Sequence, residues 1–164
     1  MSIAPGEHAD ILRAVGRFLN GEGARAVELM NQDAFLSVSW KRGHGEDQRH
    51  YRDQELATLR NQAMQSRGRP LQESRGGYAE ILRTLGQDLD QRRGDFTQIA
   101  QQGEEFLVSG SEAGRYSRRT YRTSDLLANG RKRKELRGSR RETSGGGRQA
   151  ERWDDNGPLA RRLG

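Results

Sequence analysis

The side chains in this chain whose types and spacing could do chemistry are cations set among aromatic rings. Trp40, Lys41, Arg42, Arg49, His50 and Arg52 form one group, and Arg115, Tyr116, Arg118, Arg119 and Arg122 a second. Arginine and lysine neutralise phosphates while rings stack on unpaired bases, so this pattern on a sheet suits RNA or single-stranded DNA. A plainer reading competes with it: Tyr51 and Tyr121 fill a core, and the arginines pair with Glu46, Asp47 or Glu112. A denser cationic run follows at Arg131, Lys132, Arg133, Lys134 and Arg137. Such a run gains affinity for a polyanion by releasing counterions and needs no defined shape. A solvated helix end and tail accounts for it equally well, and an acidic protein surface is a third reading. Trp153 and Leu159 read as part of a short segment that docks on a partner.

Catalysis has less to stand on. There is no cysteine, which excludes disulfides, thiolate metal sites and thiol nucleophiles. The histidines are His8, His44 and His50; the last two could approach across a hairpin as metal ligands. No nucleophile elbow, phosphate-binding loop or metalloprotease motif is present. Carboxylates at Asp10, Glu55, Glu80 and Asp125 fall in first turns of expected helices, where the helix dipole favours them. The expectation is a non-enzymatic protein with no catalytic residue, no metal and no cofactor.

The elements that must position these groups are written twice. Residues 9–56 align without a gap on residues 79–126, with 13 identities in 48 positions, where unrelated sequence would give about three. The identities include Ala9 with Ala79, Gly16 with Gly86, Val38 with Val108, and Arg49-x-Tyr51-Arg52 with Arg119-x-Tyr121-Arg122. Ile11, Leu12, Val15, Phe18 and Leu19 fall at helical spacing, repeated more narrowly by Ile81, Leu82, Leu85 and Leu89. Period-two alternation follows at Val27 and Leu29 and at Leu36, Val38 and Trp40, matched by Ile99, Phe106 and Val108. Lys41 to Asp47 reads as a glycine-rich turn into a third strand, Gln48 to Arg52, and Asp53 as a helix cap.

The expected fold is therefore α+β: an internal duplication of an α-β-β-β-α unit, with approximate two-fold symmetry, forming one curved antiparallel sheet or two facing sheets with helices on one side. Residues 1–66 are the first repeat, 67–77 a linker, 78–130 the second repeat packed with the first as one domain, and 131–164 a basic, low-complexity tail. Residues 128–164 hold eleven Lys/Arg against five Asp/Glu, which accounts for the whole net charge of +6. No basic start with an apolar run opens the sequence, and no segment approaches the roughly 20 apolar residues that span a bilayer. The expected setting is cytoplasmic. The leading functional expectation is an accessory protein binding RNA or single-stranded DNA through the tail and the exposed sheet face; the alternative is an interaction subunit of a larger protein assembly.

Overall fold

The computed structural model describes residues 3–65 and 77–128. In chain order the elements are α1 (His8–Gly21), β1 (Arg25–Asn31), β2 (Leu36–Arg42), β3 (Gly45–Tyr51), α2 (Asp53–Gln65), α3 (Tyr78–Arg92), β4 (Gly94–Gln102), β5 (Glu105–Glu112) and β6 (Arg115–Arg122). A further helical stretch, α4, covers residues 123–128. The order α-β-β-β-α thus appears twice. All six strands join one antiparallel sheet in the order β3-β2-β1-β4-β5-β6.

The first strands of the two halves meet at the centre, where Leu29 lies opposite Ile99, its own counterpart seventy residues later. Other pairs repeat at the same offset: Leu29 faces Val38 as Ile99 faces Val108, and Leu36 faces Tyr51 as Phe106 faces Tyr121. Because side chains alternate along a strand, one row across the whole sheet reads Arg49, Val38, Leu29, Ile99, Val108 and Arg119. Its four central members are buried with Leu12, Val15, Leu82 and Leu85 of α1 and α3 in a single core.

The turn between β2 and β3 is tighter than the composition of Lys41–Asp47 suggests. Trp40 pairs with Asp47 and Lys41 with Glu46, leaving only Gly43 and His44 outside the ladder. Gly43 takes φ 61, the positive value that a two-residue hairpin needs at its first turn position. Cross-strand pairing of polar side chains on an outer hairpin has won over their loop-like composition.

Helices α1 and α3 touch backbone to backbone. A Cβ placed on Gly16 would lie 2.5 Å from the Ala79 Cα, and one on Gly86 2.6 Å from the Ala9 Cα. These are the same two positions in each repeat, taken reciprocally. The small-residue identities in the alignment are therefore a helix crossing.

At one place the halves differ in how the core is filled. In the first, Val27 pairs with Trp40 and both are buried, while Ala26 bulges outward at φ 45. In the second, the bulge has moved by one residue, so that Phe96 pairs with Gly110 and is buried, and Thr97 is exposed. The aromatic ring has crossed from the second strand to the first. Gly110 is required by that exchange, since a Cβ there would lie 2.0 Å from the Asp95 carbonyl oxygen.

Candidate functional site

Strand parity sorts the cationic residues onto two faces. On the face covered by α1 and α3, Trp40 is 5 % exposed and its ring stands edge-on to Phe18 at 5.2 Å. It is a core residue, and its ring is not available for stacking on a base. Arg49 lies on the same side, with its guanidinium 4.9 Å from the Phe18 ring and 4.8 Å from that of Tyr51. Its counterpart Arg119 donates to Glu112 at 2.8 Å, and this hydrogen bond holds the Glu112 carboxyl below its usual range. Arg42 pairs with Glu22 at 3.1 Å and Asp47 at 3.5 Å. Local neutralisation thus accounts for Arg42 and Arg119, and ring contact for Arg49.

The opposite face carries the rest. One row across it reads His50, Ser37, Met30, Gln98, Ser109 and Arg118; the next reads Gln48, Ser39, Glu28, Ala100, Leu107 and Thr120. Lys41, Arg52, Tyr116 and Arg122 continue the same parity toward the strand ends and are all exposed. Arg122 approaches Glu105 at 4.0 Å. Among the described residues Arg52 and Arg118 have no carboxylate partner, and Lys41 makes no salt bridge although Glu46 stands across the ladder from it on the same face. The middle of this face carries Met30, Gln98, Ala100 and the single carboxylate Glu28, and its flanks carry more cations than the two carboxylates Glu46 and Glu105. Arg131, Lys132, Arg133, Lys134, Arg137, Trp153 and Leu159 lie outside the described residues.

His44 and His50 do not come together. His44 sits in the hairpin turn, whereas His50 pairs with Ser37 at the far end of β3 and packs edge-on against Phe35 at 4.6 Å. Among the described residues no group of three or more metal-binding side chains is assembled, and no helix is long and apolar enough to cross a membrane.

A buried polar cluster that sequence reasoning passed over centres on His8, 1 % exposed. Its Nδ1 lies 2.8 Å from Asp90 Oδ1 and its Nε2 3.1 Å from Asp95 Oδ1. Ionised carboxylates only accept, so a ring protonated on both nitrogens, an imidazolium, satisfies both contacts. Burial, the largest single influence, pushes the imidazole pKa down, but hydrogen bonds and charge from Asp95 and Asp90 outweigh it and leave the pKa raised. Asp90 also accepts N–H bonds from Gly6, His8 and Ala9, so the end of α3 caps the start of α1. The reverse holds as well: Asn20 near the end of α1 accepts from the Tyr78 N–H at 2.8 Å, at the start of α3. Neither helix has a side-chain cap of its own at its N-cap residue. The signal available in the sequence was a pair of Asx residues, Asn20 and Asp90, at one repeat position.

A second polar cluster lines a shallow cleft beside α3. Asp88 stands where the first half has Phe18; it accepts from the Tyr121 hydroxyl and from Arg92 Nε at 3.0 Å. Burial raises the Tyr121 phenol pKa, and the hydrogen bond to Asp88 raises it further. Every charge here is answered by a neighbour, so the cluster reads as structural. Tyr121→Phe should cost about 1 kcal/mol in urea unfolding; a change within error would show that Asp88 is satisfied by Arg92 alone.

No protein-family model, curated protein or solved structure matches this chain.

Proposed function

We propose that this chain is a non-enzymatic accessory protein that binds RNA or single-stranded DNA. We propose also that its two α-β-β-β-α units are copies from a tandem duplication, related by an approximate two-fold axis between Leu29 and Ile99, with the helices on one side of the sheet. The observation that supports nucleic-acid binding is the set of exposed cations Lys41, Arg52 and Arg118 on the face away from α1 and α3, none of them in a salt bridge among the described residues although Glu46 lies across from Lys41. Between them lie Met30, Gln98, Ser39, Ala100 and Glu28, the last held by Gln98, on a sheet roughly 24 Å wide at the usual strand spacing. An extended polyanion can lie across such a surface with its phosphates at the flanks. The cationic run at 131–137 adds charge in the same sense.

With Trp40 in the core, phosphate contact has to lead and stacking is left to Tyr116, 76 % exposed, and His50. Binding should then be strongly salt-dependent and weakly selective for sequence. Filter binding of a short single-stranded oligonucleotide to the full chain tests this. The triple variant K41A/R52A/R118A should reduce the slope of log K against log salt by about 2. Absence of binding at low salt, or an unchanged slope in the variant, rejects the sheet face as the site. Removing residues 128–164 in a separate arm measures the tail's share.

A second reading, an interaction subunit of a larger assembly, is favoured by the sheet's ends. Among the described residues β3 and β6 each have a neighbour on one side only, and an uncovered strand edge is a template for another chain.

A further inference from the structure

We propose that the outer edge of β6 receives an acidic, extended segment of a protein partner as a seventh strand. The proposal rests on the assembly reading and is independent of nucleic-acid binding by the sheet face. β6 reads RYSRRTYR, with four arginines and no acid. β5 offers it two carboxylates: Glu112 takes Arg119 at 2.8 Å and Glu105 approaches Arg122 at 4.0 Å. Arg115 and Arg118 have no carboxylate partner among the described residues. The opposite edge provides an internal comparison. β3 occupies the corresponding place and reads GEDQRHY, with Glu46, Asp47 and Gln48 where β6 has Tyr116, Ser117 and Arg118. One frame thus has a mixed edge and a purely cationic one. Like charges opposite each other disfavour pairing of two β6 strands from separate copies, whereas a carboxylate-rich strand is complementary.

The backbone at this edge is oriented to receive a strand. Ala113 at φ 51 and Gly114 at φ 75 form a two-residue turn of the I′ kind, which closes on Glu112 and Arg115 as a hydrogen-bonded pair. Counting from that pair, Ser117, Arg119 and Tyr121 also direct their N–H and C=O groups at β5. Tyr116, Arg118, Thr120 and Arg122 direct theirs outward. An added strand would take these outward groups, and its alternating carboxylates, all on one face, would reach Arg118 and Arg122.

The test is fluorescence anisotropy of a labelled peptide of alternating glutamate and valine titrated with the full chain at low salt. Thr120→Pro removes an outward N–H, changes no charge and breaks no bond to β5, a position where edge strands accept proline. The expected result is binding by the unmodified chain, weakened roughly tenfold by T120P, with an unchanged unfolding midpoint, and weakened also by R118E. Oligonucleotide binding should be indifferent to T120P, which separates this proposal from the sheet-face reading. No peptide binding, or equal binding to T120P, overturns the proposal. So does a response of the oligonucleotide, and not of the peptide, to R118E. Should T120P fail to fold, a peptide N-methylated at alternate residues replaces it, and binding of that peptide as tight as the parent's is equally fatal.

Discussion

Gly16→Val or Gly86→Val should lower stability by about 3 kcal/mol, read as a fall in the urea midpoint without a change in slope. Even alanine, ordinarily favoured over glycine in a helix by about 1 kcal/mol, should destabilise at either position. The added Cβ would meet backbone at 2.5 Å or 2.6 Å, and backbone cannot rotate aside as a side-chain tip can. Relief requires α1 and α3 to separate, which opens the core they share with the sheet. Since one separation relieves both clashes, the double variant G16A/G86A should lose less than the sum of the single losses. Gly21→Ala is the control, because nothing lies within 4 Å of a Cβ there. If G16A and G21A behave alike, the close crossing is not a determinant of stability.

Asp90→Ala should cost a comparable amount, about 3 kcal/mol. It removes the acceptor for three backbone N–H groups at the start of α1 and one of the two carboxylates that hold the buried His8 imidazolium. Asp90→Asn should cost less, since Asn20 already performs the capping role for α3 as an amide. The charge component has its own signature. His8 has a folded-state pKa raised above the ordinary 6.5, so the folded protein holds a proton that the unfolded chain has released. The His8 contribution is accordingly complete below about pH 6.5 and is lost as pH rises through the folded-state pKa. Urea midpoints measured upward from neutral pH should fall, and D90N should flatten that fall. A midpoint that does not decline on the alkaline side, with the His8 ring resonances titrating at their ordinary value, would refute the imidazolium assignment.

Much of the topology was legible because it rests on local periodicities. Period two at Leu36, Val38 and Trp40, helical spacing at Ile11, Leu12, Val15 and Leu19, and the seventy-residue offset together specify two α-β-β-β-α units, and that order is seen twice. The hairpin at Gly43–His44 was harder to see, since the polar strand ends around it resemble a loop until each residue is given its cross-strand partner. Strand order was not available either. Pairing of β1 with β4 follows from Leu29 meeting Ile99, a contact that no local pattern encodes.

The candidate site divides in the same way. Sequence by itself determined that cations and rings recur around the third-strand hairpin of each repeat and that the body is neutral with the excess charge at 128–164. Alternation already set Trp40 with Leu36 and Val38, but only the tertiary structure decided that the helices cover this face: Trp40 and Arg49 lie with them, and Lys41, His50, Arg52 and Arg118 on the other side. It alone brought His8 to Asp90 and Asp95 and set Gly16 against Ala79. The physical reason is distance along the chain. Alternation and helical spacing act between near neighbours, whereas a buried charge or a backbone contact is specified by groups more than sixty residues apart, whose meeting depends on every register between them.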